Sequence, residues 1–287
     1  MTADQPATSQ PPKITLYWLN DSRAQRMVWL LEELGLDYDI EMFERTSEMF
    51  APSELQKIHP LGKSPVVRLT TPDPIDPTRQ RDLVLAESGF IAEYLCEHFG
   101  GHGPGQSGLL PARYRPGQEE GRLGAETEEW MRCQFFLHYA EGSLMPPLLV
   151  ALILNILKSP RIPFILRPMT SGIANKIMAA FVVRQMAIHL SFLESQLETS
   201  PGKGNYLCGT RLTAADILMS YPLIEARERV GSFSTTSSVG AKGQGGKKLA
   251  DSYPKVWAYL DRLVEEPGYK RAESRIEQLQ KGGNGRK

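Results

Sequence analysis

Cysteine is scarce in this sequence: Cys96, Cys133 and Cys208 are the three among 287 residues, far apart and without a Cys-x-x-Cys pair. That spacing builds neither a disulfide framework nor a zinc site, and no metal is expected; it suits a reducing compartment. An excess of one charge is also lacking. The 33 Lys and Arg balance 33 Asp and Glu, so no general electrostatic attraction to nucleic acid or to a membrane surface is expected. Long hydrophobic runs are missing as well. The most apolar stretch, residues 144–157, is interrupted by Pro146 and Pro147, holds Asn155 and stops at Lys158, short of the ~20 residues of a bilayer span. No spanning helix is expected. Residues 1–12 are polar and proline-containing, lack a signal peptide's basic-then-apolar order, and read as a disordered tail. What is present is a globular balance, 41% hydrophobic and 23% charged, and a length that at about 150 residues per domain predicts two domains.

Residues 13–19 (KITLYWL) alternate and are rich in β-branched and aromatic side chains, the pattern of a strand; Met27, Leu30, Leu31 and Leu34 then recur at helical spacing up to Gly35. Strands follow at 37–43, 64–69 and 82–86, with helices at 52–58 and 88–99. Three prolines within 70–81 predict a long surface loop between the last two strands. The order βαβαββα over residues 13–100 predicts a small mixed sheet covered by helices. Residues 101–117, rich in Gly and Pro, read as a linker. Beyond it, residues 118–287 read as an all-helical domain. Its long helices are expected over 118–158, kinked at Pro146 and Pro147, and over 170–197, where Ile173, Ile177, Phe181, Ile188 and Phe192 supply an apolar face. Shorter helices are expected at 213–230, 254–265 and 268–280. Residues 231–248 have a flexible loop's Gly/Ser composition.

Some motifs fail on context. Gly103, Gly105 and Gly108 match G-x-G-x-x-G but follow a helix and enter the linker, where a phosphate-binding turn must follow a strand and open a helix. His98 and His102 are four apart, yet Gly100 and Gly101 between them end any helix that would pair them on a metal. Asn20-Asp21-Ser22 fits a glycosylation acceptor in a chain with no mark of secretion.

Three junctions carry chemistry. Ser22, between the first strand and first helix, offers a hydroxyl beside free helix N–H groups; the rival role is an N-cap, because Ser22 and Gln25 fit a capping box. His59-Pro60-Leu61-Gly62-Lys63-Ser64-Pro65 leads into a strand, and Pro65 suits a fixed bend or a cis bond that leaves the Ser64 backbone open to a peptide-like ligand; the rival is a simple turn. Glu87 and Ser88 join a strand to a helix, where a carboxylate, a hydroxyl and helix N–H groups can meet a zwitterionic head group; the rival is again a cap.

Taken with YAEGSLMPPL (139–148) and LTAADILMSYPL (212–223), the segments SRAQR, HPLGKSP and LAESGFIAEYL resemble successive blocks of the glutathione S-transferase family. The resemblance is greatest to fungal members of the yeast-type, membrane-associated branch. It implies a thioredoxin-like N-terminal domain, an all-helical C-terminal domain, a homodimer, and glutathione as co-substrate. By residue it implies Ser22 as the hydroxyl that hydrogen-bonds the glutathione sulfur. Lys63 would meet the glycine carboxylate, Ser64 before the cis-proline Pro65 the cysteinyl backbone, and Glu87 with Ser88 the γ-glutamyl group. His59 stands where the family commonly has Asn and receives no ligand role. Tyr139, Glu141 and Ser143 are placed against the second substrate, with helix core as the alternative. Thr213 and Asp216 are read as the structural cap of a buried helix. The expected activity is conjugation of glutathione to small electrophiles, with glutathione peroxidase activity beside it; a non-catalytic ligand-binding protein of the same fold is the alternative. The lack of Cys near Ser22 speaks against thiol-transferring relatives. A cytoplasmic location is expected. Peripheral membrane association enters as an addition through the apolar residues 148–157, against a core or dimer-contact role for them.

Overall fold

The computed structural model describes residues 11–100, 108–234 and 247–283. Residues 1–10 of the expected tail, Gly103 and Gly105 with His102, and residues 235–246 of the expected loop lie outside them. The described chain divides into two compact units, the first of residues 11–100 and 267–283, the second of residues 108–266.

In the first unit, β1 (Lys13–Leu19) lies at the centre of a four-stranded sheet ordered β2-β1-β3-β4, with β2 at Asp39–Phe43, β3 at Val66–Pro72 and β4 at Gln80–Ala86. β1 runs parallel to β2 and antiparallel to β3, which is antiparallel to β4. The parallel pair requires a crossover, and α1 (Gln25–Glu33) supplies it, burying Met27, Val28, Trp29, Leu30 and Leu31. α2 (Glu54–Ile58) and α3 (Ser88–Phe99) complete the βαβαββα order expected from sequence. The hairpin departs from expectation. β3 and β4 stay paired out to Pro72 opposite Gln80, so only Pro74 and Pro77 occupy the shorter connection. Asp73 closes it, accepting the N–H groups of Ile75 and Asp76 at 2.8 and 3.2 Å. These bonds hold its carboxyl pKa below the usual carboxylate value.

The second unit is helical. α4 (Glu128–Tyr139) begins ten residues later than the expected 118, because Gly117, Gly121 and Gly124 adopt φ of 76°, 82° and 80°, incompatible with a right-handed helix. Thr127 then caps it, its Oγ1 accepting the Trp130 N–H at 3.1 Å. The expected proline kink is a π-turn, Ala140–Leu144, leading into α5 (Met145–Ile156). Pro146 and Pro147 donate no backbone hydrogen bond, and the wider turn ahead of them accommodates the loss. A second π-turn, Met178–Val182, joins α6 (Arg167–Ile177) to α7 (Val183–Glu198). Glu128–Ile156 and Arg167–Glu198 are therefore continuous helices, long and apolar enough to cross a membrane by length and composition. The interruption expected from the two prolines does not occur.

The apolar face of 170–197 has an unexpected orientation. Ala174, Met178, Val182, Val183, Met186 and Leu190 form the buried stripe, while Ile173, Ile177, Phe181 and Ile188 are 42–63% exposed. At the centre of the unit lies α8 (Ala214–Val230), opened by the expected Thr213 and Asp216 pair. Asp216 is 0% exposed and accepts four hydrogen bonds: Thr213 N–H at 2.9 Å, Thr213 Oγ1 at 2.6 Å, Leu207 N–H at 3.0 Å and Tyr259 hydroxyl at 2.6 Å. α9 (Leu249–Ser252) and α10 (Pro254–Glu265) follow.

The last helix corrects the expected domain boundary. α11 (Pro267–Gly283) groups with the first unit, where its contacts with α1 and with Tyr38 beyond it are specific. Tyr269 meets the Trp29 ring edge-on at 5.2 Å and receives the Gln25 amide at 3.3 Å. Arg275 lies over the Tyr38 ring at 4.1 Å and donates to the Tyr38 carbonyl at 2.8 Å. At Gly268 a Cβ would fall 1.8 Å from Glu33 Oε1 and 3.0 Å from Trp29 Nε1, so a side chain there would push the Glu33 carboxylate off its hydrogen bond with Trp29.

Candidate functional site

Strand register gathers the three chemistry-bearing junctions. Tyr17 pairs with Val66 and Val66 with Ala86. The C-terminal end of β1, the N-terminal end of β3 and the C-terminal end of β4 thus share one edge of the first unit's sheet. Ser22 follows β1, Lys63 to Pro65 precede β3, and Glu87 and Ser88 follow β4. Phe43, at the end of the parallel strand β2, brings Arg45 to the same edge.

Ser22 does not cap α1: the N-cap is Ala24, with no side-chain hydrogen bond, and Gln25 turns to Tyr269. Its Oγ instead closes a tight turn, donating to the Leu19 carbonyl at 2.6 Å and accepting the Ala24 N–H at 3.2 Å. The Ser64–Pro65 bond is cis, and the Ser64 hydroxyl donates to the Tyr17 carbonyl at 2.9 Å. Among the described residues the Ser64 backbone has no hydrogen-bond partner, and the exposed Lys63 ammonium has no ion pair. Peptide-like pairing groups and a cation therefore stand side by side.

Glu87 is the N-cap of α3 with φ 70° and ψ 119°, a left-handed conformation that costs a non-glycine residue about 1–3 kcal/mol and is characteristic of ligand-binding positions. Its side chain is exposed and makes no cap hydrogen bond. The free N–H groups of the first turn of α3 favour an anion there. Ser88, buried beneath them, has an Oγ that accepts from Arg26 Nη2 at 3.2 Å.

The sequence reading missed two arginines. Arg26 is 2% exposed and joins α1 to the start of α3; in sequence it is one more charge on an amphipathic helix. Arg45 holds the turn before Ser22, its Nε and Nη2 donating to the carbonyls of Asn20 and Asp21 at 3.1 and 3.0 Å. Nothing in its local sequence marks that role.

Tyr139, Glu141 and Ser143 lie in the second unit, at the junction of α4 with its π-turn. Tyr139 is buried in an aromatic cluster with Phe135, Phe136 and Phe192, and its hydroxyl is 2.6 Å from His189 Nδ1. Burial pushes the Tyr139 pKa up and the His189 pKa down, so both are neutral near pH 7. Glu141 and Ser143 are half-buried. Among the described residues no group of three His, Cys, Asp or Glu side chains is placed to hold a metal ion.

A thioredoxin-like unit followed by a helical one, with polar junctions at one sheet edge, defines the glutathione-transferase fold. The comparisons agree. Residues 22–98 match the glutathione S-transferase N-terminal domain family and residues 169–271 the C-terminal domain family. Glutathione S-transferase 1 of Saccharomyces cerevisiae is 31% identical over 270 residues, covering 93% of this chain and 97% of the relative. Glutathione S-transferase 3 of Schizosaccharomyces pombe is 28% identical over 214 residues, covering 75% and 74%. Among solved structures, a Phanerochaete chrysosporium glutathione transferase with oxidized glutathione aligns with a TM-score of 0.62 at 16% identity, covering 96% of this chain and 99% of that one. The chain belongs to the glutathione S-transferase family, and its enzyme class is that of a glutathione transferase.

Proposed function

We propose that the first unit binds glutathione along the shared sheet edge and that the bound sulfur, as thiolate, attacks small electrophiles. The observation that carries this reading is the Tyr17, Val66 and Ala86 register, which sets Ser22, Ser64, Glu87 and Ser88 at one edge. Lys63 and the Ser64 backbone suit the glycine carboxylate and the cysteinyl peptide; Glu87 and the α3 N-terminus suit the zwitterionic γ-glutamyl end. Ser22 Oγ–H donates to the thiolate, exchanging the Leu19 carbonyl for a charged acceptor. Lowering a thiol pKa from about 8.5 by two units takes roughly 2.7 kcal/mol. One hydrogen bond to a charged group supplies ~1.5–3 kcal/mol. With a peroxide, the same thiolate breaks the O–O bond, expelling alkoxide or hydroxide and becoming a sulfenic acid, which a second glutathione thiol converts to the disulfide with loss of water. Tyr139, Glu141 and Ser143 are assigned to the electrophile. The homodimer is part of the same reading. The test is the thiolate absorbance of bound glutathione against pH. An apparent pKa near 6.5, about two units below free thiol, is expected; an unshifted value at saturating glutathione leaves a ligand-binding protein.

A second reading concerns location, and a different observation favours it. Residues 142–193 contain Lys158, Arg161, Arg167, Lys176 and Arg184 but no Asp or Glu. Phe164 and Ile165, between α5 and α6, are 76% and 74% exposed, in line with Met169, Ile173, Ile177 and Phe181. A segment whose exposed apolar residues are accompanied in sequence by cations alone complements an anionic lipid surface. We infer a cytoplasmic protein that rests on an intracellular membrane through α6 and α7, and not chiefly through 148–157. Sedimentation with phosphatidylserine-containing vesicles, lost on Phe164→Glu with Ile165→Glu and weakened by salt, is the expected result. A protein that stays in the supernatant contradicts it.

A further inference from the structure

Four non-glycine residues among those described hold a left-handed φ: Asp21, Met49, Glu87 and Lys203. Two of them share one partner. Arg45 Nη2 donates to the Asp21 carbonyl and Nη1 to the Met49 carbonyl, each at 3.0 Å. Its Nε donates to the Asn20 carbonyl at 3.1 Å, and its backbone N–H to Asn20 Oδ1 at 2.8 Å. A single planar guanidinium thus ties the turn after β1 to the segment after β2, and holds two strained residues that would otherwise relax.

We propose that Arg45 is a positioning residue for the transferase reaction: by holding the Asp21 carbonyl it fixes the peptide that leads into Ser22 and so aims the hydroxyl. The proposal rests on the reading of Ser22 as thiolate donor. Ser22 is the residue after Asp21, and its Oγ is placed by bonds to Leu19 and Ala24 on either side of that same turn. Relaxation of Asp21 to a right-handed or extended conformation rotates the following peptide and carries Oγ away from its present direction. The need is for the fork and not for the charge, because three carbonyls on two segments are reached by three N–H groups in one plane. An ammonium on a flexible stem cannot reproduce that arrangement.

The experiment titrates bound glutathione and measures conjugation for the full chain and for Ser22→Ala, Arg45→Met, Arg45→Lys and Ser22→Ala with Arg45→Met, with thermal unfolding of each to verify folding. The expected result for Arg45→Met is a thiol pKa raised by more than half of the Ser22→Ala shift. Its kcat at pH 6.5 should fall about two- to fivefold while the glutathione KM stays within about threefold. Arg45→Lys should recover part of this at most, and the double variant should titrate as Ser22→Ala alone, because both changes remove one interaction. If Arg45→Met does not fold, Arg45→Lys carries the same comparison. An unchanged thiol pKa overturns the proposal, as does full recovery by lysine, which would make charge the agent, or a double variant whose shifts add in full. If Ser22→Ala leaves the thiol pKa in place, the thiolate reading fails, and this proposal with it, whatever Arg45→Met shows.

Discussion

Ser22→Ala should return the thiol pKa of bound glutathione from about 6.5 toward 8.5, and the loss should depend on pH. A lowered thiol pKa populates the thiolate above the lowered value, so the wild type gains its advantage between the two pKa values. At pH 6.5 about half of the wild-type thiol is ionised against about 1% in the variant, a difference of roughly fiftyfold. The rate should fall less than the population, because a thiolate of higher pKa is the better nucleophile, with a Brønsted slope of about 0.4–0.5; a deficit of about five- to tenfold in kcat is expected. By the same slope the deficit should vanish at about pH 7.7 and reverse above it, where both forms are ionised and the variant's thiolate is the better nucleophile. A pH–rate profile of the two proteins checks this. A parallel loss at all pH values would mean that Ser22 organises the turn without touching the sulfur. Its bonds to Leu19 and Ala24 make that alternative concrete.

Asp216→Ala should be the most damaging single change in the second unit. The carboxylate is wholly buried and accepts from Thr213 twice, Leu207 and Tyr259. Removing it leaves these donors unpaired in the core at a cost of about 3–5 kcal/mol. At about 2–4 °C per kcal/mol, the midpoint of thermal unfolding should fall by roughly 6–20 °C. Asp216→Asn keeps the shape but turns an N–H toward groups that themselves donate, so an intermediate loss is expected. Burial pushes the Asp216 pKa up further than its hydrogen bonds pull it down. Folding therefore favours its protonated form. The contribution is complete below the usual aspartate value and is lost as pH rises through the raised one. Urea unfolding at a series of pH values upward from 4 should show a declining component in the wild type that Asp216→Asn lacks.

The first unit was largely legible because its elements are short and differently patterned. KITLYWL alternates, the following helix has its own period, and the junction residues carry unusual chemistry. Sheet register then brought Ser22, Ser64 and Glu87 to one edge without further information. Elsewhere periodicity misled for physical reasons. Residues 118–127 have no proline to exclude a helix, and the left-handed conformations of Gly117, Gly121 and Gly124 are not visible in a pattern of apolar residues. The stripe through Ile173 and Ile177 is as apolar as the buried stripe beside it, so period alone cannot say which faces the core. Arg26 and Arg45 act on groups distant in sequence, where a local motif leaves no trace. The placement of α11 is of the same kind: its partners Gln25, Trp29 and Tyr38 lie more than two hundred residues earlier.

That last packing has a consequence for how the protein is made. Synthesis delivers the sheet and its helices first, then the whole second unit, and only afterwards the helix that covers Trp29 and Tyr38. Domains made first ordinarily complete their folding first. Here the opposite order is possible: the guest unit can finish while its host still waits, with an uncovered face on α1, for α11 to leave the ribosome.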